Sequence, residues 1–315
     1  MPEIRRIVVA LGGNAILRAK QRGTFFEQFA NVRRTCRQIV AMIQDGYKVV
    51  ITHGNGPQVG AILIQNEMGA SVVPAMPLDV LGAESQGLIG YMLQQNLYNL
   101  LLEQNLHYPV VTVITQVLVD KDDPAFTHPT KPIGPFYSEE KARQAMIKKG
   151  ETWIEDSGRG WRKVVPSPEP IGIVEREGIR ALLEAGVVVI ASGGGGIPVV
   201  EVDGGRLQGI RGVIDKDLAG QRLATDVDAD CLLILTDVPK VALYFNTPQQ
   251  QDLDRMTVAE ARRYMEEGHF RPGSMGPKVK ASICFIESGG ECAIITSIDT
   301  ALAALRGEAG TWIVA

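Results

Sequence analysis

Ile7-Val8-Val9-Ala10-Leu11-Gly12-Gly13-Asn14-Ala15 is the stretch on which the fold turns. Its five apolar residues lack the polar alternation of a half-exposed strand. They read instead as a strand buried on both faces of a parallel sheet. The glycines that follow let the backbone turn sharply and bring N–H groups close to an anion. The same sentence of sequence recurs. His53-Gly54-Asn55-Gly56-Pro57 follows the run Lys48–Thr52, and Gly193-Gly194-Gly195-Gly196 follows Val187–Ala191. One such turn is explained as well by packing as by binding; three of them favour an anion site.

Working outward, Val110–Thr115, Cys231–Thr236 and Cys292–Thr296 are further strand-like runs. Helical patterns lie between the strands. Phe29, Val32, Cys36, Ile39, Val40 and Ile43 recur at three- and four-residue steps and stop at Asp45-Gly46. Leu88–Leu102 carries a second apolar stripe, Gln58 onward continues the second glycine turn as a helix, Ile179–Ala185 stops at Gly186, and Val258–Glu267 stops at Gly268. Alternation of this kind predicts an α/β sandwich with right-handed crossovers. Ligands in such sheets sit beyond the carboxyl ends of the strands, where each glycine turn falls.

The 315 residues suffice for one large α/β domain or two tightly joined halves. A net charge of -4 argues against nucleic acid or an anionic membrane as partner. Cys36, Cys231, Cys284 and Cys292 show neither CxxC spacing nor a neighbouring histidine cluster, so reduced, structural thiols of a cytoplasmic protein are expected. Met1-Pro2-Glu3-Ile4-Arg5-Arg6 runs straight into the first strand without a signal-peptide pattern, and no apolar run reaches membrane-spanning length.

Between about Asp120 and Pro170 the rhythm breaks. Seven of the seventeen prolines fall there, with one short helix, Ser138–Lys149, capped by Ser138. A small subdomain or lid is the reading, since long structureless loops are uncommon in compact domains.

Three lysines carry the chemistry. Lys131 sits in Thr130-Lys131-Pro132-Ile133-Gly134-Pro135 within the excursion, Lys216 in Ile214-Asp215-Lys216-Asp217, and Lys278 in Gly273-Ser274-Met275-Gly276-Pro277-Lys278. A lysine beside glycine or proline is ordinarily a solvated loop charge. Lys278, however, opens a helical pattern through Val279, Ile283 and Ile286, a poor place for a cation unless a phosphate is present. Lys216 suits gripping phosphate while Asp217 orients it or helps place Mg²⁺. Lys131, pinned between prolines, suits swinging onto a reacting group as a lid closes. Fixed cations with backbone N–H donors are what phosphoryl transfer between anions requires.

Rival motifs are weak. Gly54-Asn55-Gly56-Pro57-Gln58-Val59-Gly60 has the wrong spacing for a dinucleotide fingerprint, and Walker and protein-kinase signatures are absent. His53 reads as a turn or core histidine, and His128 and His269 lack ligand-like partners. Arg159 and Arg162 are lid-surface charges or pins of the excursion's fold, Trp161 is packing, and Tyr244 is either a strand-edge residue or an adenine contact.

Together these motifs resemble the carbamate kinases, a branch of the amino acid kinase family. The likeness runs in order from Ile7–Ala15 through Thr52–Gly60, Thr130–Pro135, Gly158–Pro168, Gly193–Pro198, Val213–Leu218, Leu235–Val238 and Pro272–Lys278 to Thr311-Trp312-Ile313. The resemblance implies an open αβα sandwich with a mainly parallel central sheet. It implies an N-terminal carbamate half, residues 1–210, with a protruding subdomain at about 120–170, and a nucleotide half, residues 211–315. It also implies a homodimer. Lys131, Lys216 and Lys278 would stabilise the transferring phosphoryl group, with Asp217 organising the lysines. Gly12, Gly13, Asn14, Asn55 and Gly56 would hold carbamate. Gly194, Gly195, Thr236, Asp237, Val238, Tyr244, Met275 and Pro277 would contact ADP or ATP, which brings Mg²⁺, with no residue assigned as metal ligand.

By the same resemblance, relatives making other acyl phosphates have a lysine where this chain has Ala10, and Lys131 would supply the replacement cation. The implied reaction is reversible transfer between carbamoyl phosphate and MgADP, running toward ATP, with arginine fermentation among the pathways it could serve. A kinase for another small carboxylate, and a nucleotide-binding storage or sensor protein without turnover, are the alternatives.

Overall fold

The strand Arg6–Leu11 pairs in parallel with Cys231–Thr236 on one side and Lys48–His53 on the other, which puts it at the middle of the main sheet. The computed structural model describes residues 3–156 and 158–315; Met1 and Pro2, which the sequence reading ran into this strand, lie outside the described residues, as does Ser157. The sheet has eight strands in the order Arg255–Thr257, Thr311–Val314, Cys292–Ser297, Cys231–Thr236, Arg6–Leu11, Lys48–His53, Val188–Ile190, Val110–Thr112. Within this sheet, among the described residues, only the pair Cys292–Ser297 and Thr311–Val314 is antiparallel. Strands before residue 211 occupy one side of the sheet and strands after it the other.

Alternation along each strand feeds two cores. Ile7, Val9 and Leu11 join Ile51, Leu233 and Ile294 under the helices Phe25–Gln44 and Leu78–Glu103. Val8 and Ala10 join Val50, Ile234 and Ile295 under the helices Arg176–Glu184, Lys216–Asp226 and Met275–Glu287. Both faces are therefore covered, as an uninterrupted apolar strand demands. Thr24 and Glu27 close a reciprocal capping box at the start of Phe25–Gln44.

Several boundaries differ from the sequence reading. The helix expected over Leu88–Leu102 begins at Leu78, because Gly82, Ala83, Glu84 and Ser85 interrupt its apolar stripe without breaking the helix. The strand expected over Val110–Thr115 ends at Thr112, and Thr115 N–H donates to Gln86 Oε1 at 2.8 Å as the chain turns away. Lys216–Asp226 is a helix that the sequence reading did not identify.

The proline-rich excursion holds an antiparallel sheet of Lys131–Tyr137, Trp161–Val165 and Thr152–Glu155, with the helix Glu139–Lys149 beside it. Ser138 caps that helix, as the sequence indicated, and Gly150 ends it at φ 61°. The excursion docks on the helix Gly56–Gly69: a Cβ on Gly60 would lie 3.3 Å from Gly134 Cα. Gln116–Val119 and Pro170–Ile173, which flank it, belong to a separate four-stranded sheet.

Candidate active site

The three glycine turns meet at the carboxyl edge of the main sheet. Gly12 follows the strand Arg6–Leu11 and donates its N–H to Leu235 O at 3.1 Å. Gly54 follows Lys48–His53, and a Cβ there would stand 3.0 Å from Lys216 Cδ, so the missing side chain is the space through which Lys216 passes. The turn after Val188–Ile190 is more constrained. Ser192 is left-handed at φ 53°, and Gly194, Gly195 and Gly196 all have positive φ. A Cβ on Gly194 would lie 2.1 Å from Asn55 Nδ2, which itself donates to Ser85 Oγ at 2.7 Å. Gly194 is glycine on both counts, backbone conformation and close approach.

The helix Lys216–Asp226 delivers a lysine and an aspartate side by side at its first two positions. Asp215 caps it, accepting the Asp217 N–H on Oδ1 at 2.9 Å. Asp217 is only 3% exposed and both its oxygens are taken: Lys216 Nζ donates to Oδ1 at 2.7 Å and Lys278 Nζ to Oδ2 at 3.0 Å. Burial opposes ionisation of Asp217, but the two ammoniums outweigh it and hold the carboxyl below its usual range. Burial and the neighbouring Lys216 pull Lys278 below the usual lysine range, against Asp217. Lys278 is the fourth residue of the helix Met275–Glu287, whose first turn has no side-chain cap. Lys131, at the start of its strand in the excursion, donates to Asp215 Oδ2 at 2.7 Å. Three lysines from three parts of the sequence thus converge on two carboxylates at one helix start.

Open space surrounds this cluster on two sides. A cleft of about 270 Å³ is walled by Gly13, Gly54, Asn55, Gly56, Lys131 and Arg162, and reaches Lys216, Asp217 and Lys278. A hollow of about 210 Å³ lined by Gly12, Asn14, Lys216, Asp237 and Lys278 leads to a third of about 310 Å³. The last is lined by Thr236, Asp237, Val238, Phe245, Phe270 and Met275, among others. Asn14 Nδ2 contacts Asp237 Oδ2 and ties the first glycine turn to the end of Cys231–Thr236.

Most sequence-predicted residues therefore come together, though not always in the expected compartment. Gly12, Gly13, Asn14, Asn55, Gly56, Lys131, Lys216, Asp217, Pro277 and Lys278 line the cleft or the hollow. Thr236, Asp237, Val238 and Met275 line the third space. Gly194 and Pro277, expected with the nucleotide, lie in the first cleft, Gly194 against Asn55; Gly12 and Asn14, expected with carbamate, line the hollow, and Gly195 is buried against Ile214 O. Tyr244, left-handed at φ 51°, turns its ring edge-on to His269 at 4.6 Å, and Phe245 faces the third space. Asp215 and Arg162 were not singled out for the site. Asp215 was legible as a helix cap ahead of Lys-Asp, had the helix been recognised. Arg162 donates from Nε and Nη2 to Gly134 O at 3.2 and 3.0 Å, so it pins the excursion while edging the cleft.

His53 is buried, and burial drives its pKa down to about 4 despite a backbone contact to Gly54 O. It is a neutral core side chain, as the sequence suggested. No group of three or more His, Cys, Asp or Glu side chains forms a metal cage among the described residues.

Residues 5–297 match the model of the amino acid kinase family. The chain is 55% identical to carbamate kinase of Thermococcus kodakarensis, over 99% of each chain. It is 56% identical to carbamate kinase of Pyrococcus furiosus, over 98% of this chain and 99% of that one. Its structure superposes on Giardia lamblia carbamate kinase bound to AMP-PNP with a TM-score of 0.93 at 46% identity, covering 100% of this chain and 99% of the other. On sequence, fold and site together, the chain belongs to the carbamate kinase branch of the amino acid kinase family.

Proposed function

We propose that this protein transfers a phosphoryl group reversibly between carbamoyl phosphate and MgADP, forming ATP and carbamate, at the lysine–aspartate cluster. The observation that carries the reading is the convergence of Lys131, Lys216 and Lys278 on Asp215 and Asp217 between two open spaces. Carbamoyl phosphate sits in the cleft beside Gly13, Asn55 and Gly56; ADP lies in the third space with its phosphates directed through the hollow. A β-phosphate oxygen of ADP attacks phosphorus as the bond to the carbamate oxygen breaks. The electron pair leaves with carbamate, which decomposes to ammonia and CO₂ after release. The acyl phosphate is a mixed anhydride, so ATP formation is the downhill direction.

Both reacting partners are already anionic oxygens, so no general base is required, and none of the named groups forms a covalent intermediate. The chain contributes position and charge. Lys216 and Lys278, bridged by Asp217, neutralise charge on the transferring oxygens, while Lys131 approaches from the carbamate side. In the first turn of Met275–Glu287 the Gly276 N–H already donates to Arg271 O and Pro277 has none, which leaves Met275 and Lys278 as further donors. Magnesium suits this donor set as a companion of the nucleotide rather than a resident ion. Asp215 and Asp217 are already engaged by lysines, and Mg²⁺ is commonly held largely by substrate phosphates and water.

Residues 1–210 with the 120–170 subdomain form the carbamate half in this reading, and 211–315 the nucleotide half. The protein acts in the cytoplasm as a homodimer. Leu88, Tyr91, Tyr98 and Leu102 leave an exposed apolar stripe on the helix Leu78–Glu103, which a second copy would cover. No helix among the described residues is long and apolar enough to cross a membrane.

The test is ATP formation from MgADP with carbamoyl phosphate, acetyl phosphate and N-acetylglutamyl phosphate as donors. Rapid turnover confined to carbamoyl phosphate supports the reading. Preference for another donor moves the assignment to a different small carboxylate, and nucleotide binding without ATP from any donor points to a storage or sensor role.

A further inference from the structure

Lys131 reaches the site from a separate subdomain, and something must hold its long side chain over the cleft before substrate arrives. Among the described residues its ammonium has one side-chain partner, Asp215, at 2.7 Å. The same carboxylate uses its other oxygen to cap the helix that starts with Lys216 and Asp217. Its two oxygens thus join the excursion's lysine to the backbone that positions the rest of the charge cluster. A free lysine side chain samples many rotamers, and ordering it in advance removes that cost from the transition state.

We propose that Asp215 is a positioning residue for phosphoryl transfer, capping the helix Lys216–Asp226 with one oxygen and setting Lys131 over the cleft with the other. The inference rests on the phosphoryl-transfer reading above. Asp215 itself touches neither substrate in this account; it acts through Lys131.

Asp215→Asn separates the two jobs. Asparagine caps a helix about as well as aspartate, so the helix start is kept. Its remaining amide group presents N–H donors to the Lys131 ammonium in place of a carboxylate oxygen, so the hold is lost. Asp215→Ser, which also caps, serves as a second variant should the first fail to fold. The measurements are kcat, KM for each substrate and melting temperature for wild type, Asp215→Asn, Lys131→Ala and the double variant. The expected result is a kcat lowered roughly tenfold or more in Asp215→Asn, a barrier change of the size one positioned charge supplies. KM for ADP and the melting temperature stay near wild type. The double variant is no slower than Lys131→Ala within about threefold, because the aspartate has nothing left to position.

Losses that multiply in the double variant would overturn the proposal, as would an unchanged or raised kcat in Asp215→Asn. A kcat loss matched by a lower melting temperature and weaker ADP binding would reduce Asp215 to a structural cap. An active wild type with an indifferent Asp215→Asn removes this inference alone; a wild type that makes no ATP removes the phosphoryl-transfer reading beneath it.

Discussion

Lys278 Nζ stands 3.0 Å from Asp217 Oδ2, although the two residues are 61 apart in sequence and start different helices. The contact joins the first turns of Lys216–Asp226 and Met275–Glu287, and Lys216 completes it on the opposite oxygen at 2.7 Å. One buried carboxylate is therefore the counter-charge for two ammoniums that would otherwise repel each other.

Removing that charge tests its weight. Asp217→Asn leaves Lys216 and Lys278 facing each other without compensation. Breaking a buried pair from one side costs about 3 kcal/mol or more, so the melting temperature should fall. Turnover should fall by on the order of 10²–10³, as for loss of a preorganised electrostatic element. Urea unfolding and steady-state kinetics on the one variant check both, and near-wild-type values of either contradict the arrangement.

Lys278 should set the alkaline limit of the enzyme. Its pKa is lowered by burial and by Lys216, so in the free enzyme it loses its proton at a lower pH than an ordinary lysine, about 10.4. The ammonium is the active form, so kcat/KM should decline on the alkaline side below that value. Lys278→Arg keeps its charge at any accessible pH and should remove this limb, even though its geometry lowers the maximum rate. The same limb in both enzymes would assign it to another group.

His53 affects acid stability rather than catalysis. Its folded pKa of about 4 lies below the unfolded value near 6.5, so the unfolded chain takes up the proton first. Stability is full above about pH 6.5 and declines as pH falls from there toward 4, by up to about 3 kcal/mol. His53→Gln should flatten that decline in thermal melts across the range, whatever it does to stability at neutral pH. An equally steep decline in the variant would place the acid sensitivity elsewhere.

Gly194→Ala should damage the first cleft selectively. The new Cβ would stand 2.1 Å from Asn55 Nδ2 in a backbone at φ 68°. Strain of about 1–3 kcal/mol is expected, together with displacement of Asn55. KM for carbamoyl phosphate should rise while ADP affinity, measured by calorimetry, changes little. Equal damage to both would return Gly194 to the nucleotide side.

Much of the fold was legible because strands buried on both faces are written as unbroken apolar runs. Cys231–Thr236 was bounded to the residue, and each glycine turn lies at a carboxyl end as the runs implied. The antiparallel sheet inside the excursion was not legible: Lys131–Tyr137 contains two prolines and a glycine, which demote a strand reading, yet it pairs with Trp161–Val165 through an irregular register. The helix Lys216–Asp226 escaped because its buried face mixes Ala219, Leu223 and Ala224 with Asp217, Gly220, Gln221 and Asp226, so the apolar stripe is too interrupted to read.

Site residues were legible where chemistry and backbone geometry coincide, as at Lys278 and Gly12-Gly13-Asn14. Compartments were not, because they depend on which turns approach each other in space. Gly194 lies against Asn55 across 139 positions of sequence, and no local pattern carries that. Tyr244 and Phe245 are neighbours with similar side chains; the left-handed backbone at Tyr244 decides which one faces the third space.

The central claim is that three lysines from separate segments act together on one phosphoryl group. The most direct measurement is ATP formation from carbamoyl phosphate and MgADP by Lys131→Ala, Lys216→Ala and Lys278→Ala beside wild type, with ADP affinity measured on each protein. Fast wild-type turnover, with losses on the order of 10²–10³ in each variant and ADP binding retained by Lys131→Ala, is the predicted result. Lys131→Ala turning over at the wild-type rate would contradict it, because the excursion's lysine would then have no part in the transfer.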